Sequence, residues 1–118
     1  MEVFFEISLD MLCIVGFDGY FKRLNPAWEA TLGFTIEELL AKPYLEFVHP
    51  EDREATIAEA QNLASDGKTI SFRNRCLCKD GSYWWLSWNA IGIPEQQQIY
   101  STARDITEAS RGARQKQR

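Results

Sequence analysis

The apolar positions change period several times along the chain, and each change marks an element. Between Glu2 and Asp10 they fall at 3, 4 and 7, with Met11 next, which is a short helical stripe. Residues 11–17 form a β-rich apolar run that stops at Asp18-Gly19, and residues 20–24 follow as a second run. An Asp-Gly pair between two such runs predicts a hairpin, because glycine accepts the positive φ of the tight turn. Asn25-Pro26 opens a helix that runs through Trp28 to Gly33. Asparagine suits the cap of its first amides, and proline suits the first helical position, where its missing N–H is not needed. Thr35 and Glu38 have the spacing of a capping box for a short helix to about Leu40, which Pro43 breaks, and residues 44–48 have room for one more turn.

The longest helical segment begins at His49-Pro50. Glu51, Asp52 and Glu54 suit the positive end of its dipole. Ile57, Ala60 and Ala64 share a face bordered by Leu63, and Asp66-Gly67 closes the segment, with Gly67 expected as a left-handed cap. From Thr69 to Lys79, Ile70, Phe72, Cys76 and Cys78 alternate with Ser71, Arg73, Arg75 and Lys79, which predicts a strand. Asp80-Gly81 is a second hairpin turn, residues 82–93 a strand, and residues 99–106 the last strand. Two strands, then helices, then three strands predict an α+β fold on an antiparallel sheet. A sheet wetted on one side alternates cleanly. The strand at 82–93 does not: Trp84, Leu86, Trp88 and Ala90 lie on one face, but Tyr83, Trp85 and Ile91 lie on the other. The second face therefore calls for a cover, either the N-terminal helix, a second copy of the chain, or both.

Length and composition fit one domain: 118 residues, 45% hydrophobic and 25% charged. The longest apolar run, residues 11–17, falls far short of the about 20 residues of a membrane helix, and no export signal opens the chain. Net charge is −4, but Arg111, Arg114, Lys116 and Arg118 sit together at the end, which leaves residues 1–107 with 9 basic against 16 acidic groups. An acidic body is a poor match for a phosphate backbone, so no nucleic-acid partner is expected, and the basic tail reads as the solvated start of a helix. Cys13, Cys76 and Cys78 read as reduced thiols of a cytoplasmic protein. Cys76 and Cys78 share a strand face, but only Cys13 and the lone His49 could complete a zinc set, so no metal is expected. His49 with Glu51 or Asp52 is the best acid–base pairing available to a hydrolase. No serine or cysteine nucleophile stands beside it in a recognisable context, and no phosphate-cradling glycine motif is present, so the chain is expected to have no catalytic residue.

Several stretches in order resemble the PAS domain over residues 4–108. They are Asp18-Gly19-Tyr20 with Asn25-Pro26-Ala27-Trp28, the segment Leu32-Gly33-Phe34-Thr35 through Glu38-Leu39-Leu40, Val48-His49-Pro50-Glu51-Asp52-Arg53, Lys79-Asp80-Gly81-Ser82-Tyr83-Trp84-Trp85-Leu86, and Arg104-Asp105-Ile106-Thr107-Glu108. The resemblance implies a five-stranded antiparallel sheet of order 2-1-5-4-3, with short helices between strands 2 and 3. Residues 1–10 become a flanking helix, 11–108 the PAS domain, and 109–118 the start of a signalling helix or linker. It implies a sensory module of a larger cytoplasmic signalling protein, most often a bacterial sensor histidine kinase in a two-component phosphorelay. The alternatives are a cyclic-di-GMP enzyme as the parent, or a ligand-free interaction and dimerisation module. The chain reads as a fragment whose signalling helix is cut short after it starts.

The same resemblance bears on the site. Candidate cavity residues are Trp28, Phe34, Phe47, Ile57, Phe72, Leu86 and Trp88, each equally at home in an ordinary core. Arg104, Asp105, Ile106 and Thr107 are the candidate relay, with Asp105 and Thr107 anchoring the exit through side-chain bonds to backbone. Phe4, Phe5 and Trp85 are the candidate homodimer interface. No cofactor is predicted. The flavin photosensors that resemble this fold carry a reactive cysteine near the middle helices, where residues 42–47 here read Lys-Pro-Tyr-Leu-Glu-Phe, and residues 51–79 hold no histidine for a haem iron. A non-covalently bound flavin or other small molecule stays open.

Overall fold

A computed structural model describes residues 2–65 and 67–107. Asp66, Glu108 and the expected linker at 109–118 lie outside the described residues. Helix α1 (Glu2–Ile7) leads into strands β1 (Met11–Gly16) and β2 (Phe21–Leu24). Helices α2 (Ala27–Leu32) and α3 (Ile36–Leu40), 3₁₀ turns at Tyr44–Phe47 and Pro50–Asp52, and helix α4 (Arg53–Ala64) follow. Strands β3 (Lys68–Leu77), β4 (Tyr83–Ile93) and β5 (Gln98–Asp105) complete the chain. The five strands form one sheet in the order β2-β1-β5-β4-β3, every neighbouring pair antiparallel, as the resemblance implied.

The local signals mostly act where they were read. Gly19 and Gly81 take φ of 87° and 91° in the two Asp-Gly turns, a region that a side chain disfavours. The Lys22 ammonium and then the Tyr20 N–H hold the Asp18 carboxyl below the usual range, and the Ser82 hydroxyl and N–H do the same for Asp80. The capping box of α3 is complete: Glu38 N–H donates to Thr35 Oγ1, and Thr35 N–H to Glu38 Oε1.

Three expectations are corrected. Asn25 does not cap α2. It is fully buried, accepts at Oδ1 from Leu12 N–H (2.9 Å) and donates from Nδ2 to the carbonyls of Phe5 (3.1 Å) and Asp10 (3.0 Å). A group with three backbone partners in reach is more use as a rivet between α1 and β1 than as a cap. Gly67 is not the cap: α4 ends at Ala64 with Ser65 as its C-cap, and glycine is needed at 67 because a Cβ there would lie 2.5 Å from the Asn62 carbonyl oxygen. Finally, the alternation in β3 breaks at Ser71, whose φ is 56° and where the register with β4 slips. This bulge turns Ile70 out to 80% exposure and puts Thr69 inside, after which Asn74 and Cys76 follow the inner face.

The core lies between the inner face of the sheet and the helices. Leu39 and Leu86 are wholly buried, Trp28 nearly so, with Phe21 edge-on to Trp28 at 5.2 Å. Trp28 Nε1 donates to the Leu12 carbonyl (3.0 Å), tying α2 to β1 through a buried ring that must place its one donor. The cysteines are free and buried, Cys13 on β1 and Cys76 on β3, two strands that are not neighbours. Burial pushes the Cys13 thiol up to about 12 and raises those of Cys76 and Cys78, so all three are protonated at neutral pH.

Candidate functional site

Two places on the fold could carry function: a cavity between α4 and the sheet, and the exit of the chain from β5. The cavity measures ≈ 80 Å³. Trp28, Phe47, Phe72 and Trp88 line it, as four of the candidate residues were expected to. Phe34, Ile57 and Leu86 do not. Phe34 packs edge-on to Phe47 at 5.1 Å with the Lys79 ammonium over its ring. Ile57, 40% exposed, sits in a separate recess with Phe17 and Tyr44, because the inner face of α4 is Thr56 and Leu63. Leu86 is solid core.

The cavity wall is not purely apolar. Asn74, buried on β3, accepts from Trp88 Nε1 (2.7 Å) and donates from Nδ2 to Thr56 Oγ1 (3.2 Å), whose hydroxyl donates to the Asp52 carbonyl (2.8 Å). Thr69 Oγ1 donates to Glu59 Oε2 (2.8 Å), and both residues line the cavity. Sequence reasoning missed this polar set. Neither Asn74 nor Glu59 was singled out in the sequence, although Asn74 falls on the same face of the alternation as Phe72 and Cys76, where a polar side chain needs a buried partner.

Outside the cavity, Asp52 joins α4 to β3. It receives Arg75 Nε (3.0 Å), Nη2 (2.7 Å) and the Arg75 backbone N–H (2.8 Å), while Glu51 takes a longer contact from Nη2 (3.4 Å). The Arg75 guanidinium holds the Asp52 carboxyl below the usual carboxylate range, against the opposing effect of burial, and Asp52 in turn raises Arg75. His49 caps the turn before α4, accepting at Nδ1 from Glu51 N–H (3.1 Å), and packs on Tyr83 at 4.5 Å. The acid–base pairing of His49 with Asp52 or Glu51 is therefore committed elsewhere: Asp52 to Arg75, His49 to the cap. Among the described residues no group of three or more His, Cys, Asp or Glu is placed to hold a metal ion, and no helix is long and apolar enough to cross a membrane.

At the exit, Asp105 Oδ1 accepts from Thr107 N–H (2.9 Å). Thr107 Oγ1 accepts from Trp85 N–H (2.8 Å), and Ile106 N–H donates to the Trp85 carbonyl (2.9 Å). These are side-chain-to-backbone anchors of the kind expected, and β4 is what they grip. Arg104 is exposed and lies 3.7 Å from Asp10. The candidate interface residues are spread over the outer face. Phe5, half-buried, carries the Arg23 guanidinium over its ring (4.2 Å), and Phe4 is 75% exposed. Trp85 lies under Arg75, whose guanidinium is 5.1 Å from its ring. The cover that Trp85 called for is thus supplied by Arg75 rather than by α1. Phe5 opens instead on a groove with Ile70, Ile91 and Tyr100.

Comparison with known proteins agrees with this geometry. A family model described as "PAS fold" matches residues 21–103. A zebrafish (Danio rerio) "Neuronal PAS domain-containing protein 4-like" is 33% identical over 79 residues, 66% of this chain but 12% of that protein's length. Among solved structures, a domain of a "sensory box sensor histidine kinase/response regulator" from Geobacter sulfurreducens superposes with a TM-score of 0.78 at 21% identity, covering 88% of this chain and 90% of that one. A PAS domain from Colwellia psychrerythraea gives 0.80 at 23%, covering 91% and 94%. A Drosophila melanogaster Cycle PAS-B domain with bound ethylene glycol gives 0.67 at 24%, covering 80% and 96%.

Proposed function

The chain belongs to the PAS family, and from that premise we propose that it is a sensory and regulatory module that relays a change at its cavity to the Asp105–Thr107 exit and performs no bond-making chemistry itself. One observation carries the reading. The cavity and the exit share a strand: Trp88 bonds Asn74 inside the cavity, and three residues back the Trp85 backbone holds both Ile106 and Thr107. A ligand or packing change that displaces Trp88 moves β4, and with it the grip on the outgoing chain, a two-state bias of the kind allostery requires. Asp105→Ala tests this in the protein that carries the domain together with its output. The substitution is expected to remove the input-dependent change in output while lowering the melting temperature of the domain by only about 4 °C, the size of one lost cap-like bond. A folded Asp105→Ala protein that signals like wild type overturns the reading.

The parent we favour is a cytoplasmic sensor histidine kinase of a two-component system, supported by the fold shared with the Geobacter domain; a cyclic-di-GMP enzyme is the alternative. No haem, metal or covalent flavin is assigned. A second reading, a ligand-free dimerisation module, is supported by the modest size of the cavity. Either way we propose a homodimer through α1 and the outer sheet face, where Leu9 (94%), Ile70 (80%) and Phe4 (75%) stand in water. Sedimentation equilibrium at high protein concentration is expected to show the dimer. Monomer alone at that concentration sinks the proposal.

A further inference from the structure

We propose that the cavity selects a small, largely apolar ligand with a hydrogen-bond-donating head, best a protonated primary amine, and rejects carboxylates. The proposal rests on the sensory reading of the cavity and specifies what it takes.

Three observations converge on the class. First, among the described residues Glu59 is the one acidic side chain that lines the space, and no lysine, arginine or histidine does. Second, the donors in the wall are mostly committed. Trp28 Nε1 is bound to the Leu12 carbonyl, Trp88 Nε1 to Asn74, the Thr56 hydroxyl to the Asp52 carbonyl, and the Thr69 hydroxyl to Glu59. What remains near Glu59 is accepting capacity: its Oε1, which has no hydrogen-bond partner among the described residues, and the lone pairs of Thr69. An ammonium or hydroxyl head finds acceptors there, whereas a carboxylate meets a like charge. Third, Glu59 is half-buried while Thr69 is buried, so the charge stands at the edge of the space. An ammonium paired with it keeps part of its water, which lessens the desolvation that otherwise makes buried ion pairs unprofitable. The tail then lies against Phe72, Trp88 and Trp28.

Size limits the tail. A space of ≈ 80 Å³ is about half that of the engineered apolar cavity that accepts benzene, so about three heavy atoms fit inside, and a ligand of about five fits with its head at the edge beside Glu59. Ligands this small bind weakly, and binding is read at millimolar concentration.

The test titrates the full chain near neutral pH with n-butylamine, butan-1-ol and propionate, which match in heavy-atom count, and follows the indole N–H resonances of Trp28 and Trp88. Butylamine is expected to bind about ten-fold more tightly than butanol, the size of one hydrogen bond made to a charged group, and propionate not to bind. Glu59→Gln keeps an acceptor for Thr69 and is expected to bring the amine down to the affinity of the alcohol while leaving the alcohol unchanged. Glu54→Gln, on the exposed first turn of α4, is expected to change neither. Propionate binding as well as butylamine, or an amine preference that survives Glu59→Gln, overturns the ligand class and leaves the sensory cavity standing. If none of the three compounds moves either indole resonance, the cavity reading itself falls.

Discussion

Replacing Gly92 by alanine is expected to destabilise the domain by about 4 kcal/mol and to lower its melting temperature by about 16 °C, read from a circular-dichroism melt. The site leaves no room for even one carbon. A Cβ on Gly92 would lie 1.7 Å from the Leu63 carbonyl oxygen and 2.6 Å from its carbon, and these are backbone atoms that no rotamer change can move. The contact is built in from both sides. Gly92 N–H donates to the Gly67 carbonyl (3.2 Å), and Gly67 N–H to the Asn62 carbonyl (3.1 Å), so the end of α4 is stitched to β4 through two glycines. Pushing α4 off β4 would also draw Leu63 out of the core and open the cavity that α4 covers. Set against a total stability of about 5–15 kcal/mol, such a loss leaves little reserve. A Gly92→Ala protein that melts within about 4 °C of wild type, one kcal/mol's worth, would show that the helix can shift at low cost.

That glycine also illustrates where sequence reasoning reaches its limit. The elements whose causes are local were legible: two Asp-Gly turns, the Thr35–Glu38 box, and the order of strands and helices. Together with five motif stretches in the right order they were enough for the sheet order. What escaped depends on partners far along the chain. Local rules made Asn25 a cap, but its partners are Phe5, Asp10 and Leu12, up to twenty residues away. Strict alternation turned Ile70 inward, because nothing about a serine announces the bulge at Ser71. Helical spacing placed Ile57 on the inner face of α4, whereas the helix is rotated so that Thr56 and Leu63 face in, held by the bond of Thr56 to Asn74 on β3. Glycine inside a strand is itself a sign of close backbone approach, so Gly92 carried a readable signal. Asp52 was read correctly as a helix-start acid, but its second role, toward Arg75, becomes visible only once β3 lies beside it.

That second role leads to the other large effect. Asp52→Asn is expected to cost about 2 kcal/mol at neutral pH, the loss expected when a charge-assisted pair becomes a neutral one. The pair is poorly screened, since the Asp52 side chain is 16% exposed and that of Arg75 25%. The pH dependence gives the sign. Arg75 holds the folded-state carboxyl of Asp52 below its ordinary value of about 3.9, so the stabilisation is fully present above that value and is lost as pH falls through the folded-state value. Urea titrations should therefore show wild type and Asp52→Asn about 2 kcal/mol apart at pH 7 and converging as the pH falls below the ordinary carboxylate range. Arg75→Lys should lose most of the same energy despite keeping the charge, because an ammonium cannot present the fork that spans both carboxylate oxygens. The consequence extends beyond stability. The guanidinium that Asp52 fixes is the one that covers Trp85, and Trp85 holds Ile106 and Thr107 through its backbone. Freed from Asp52, Arg75 loses its place over the ring, and the amides of Ile106 and Thr107 are expected to exchange with solvent about ten-fold faster, beyond any change at core amides such as Leu86. Such a local excess would make Asp52–Arg75 a mechanical link from the head of α4 to the exit. Uniform acceleration across the domain would reduce it to a clamp that holds α4 to β3 and nothing more.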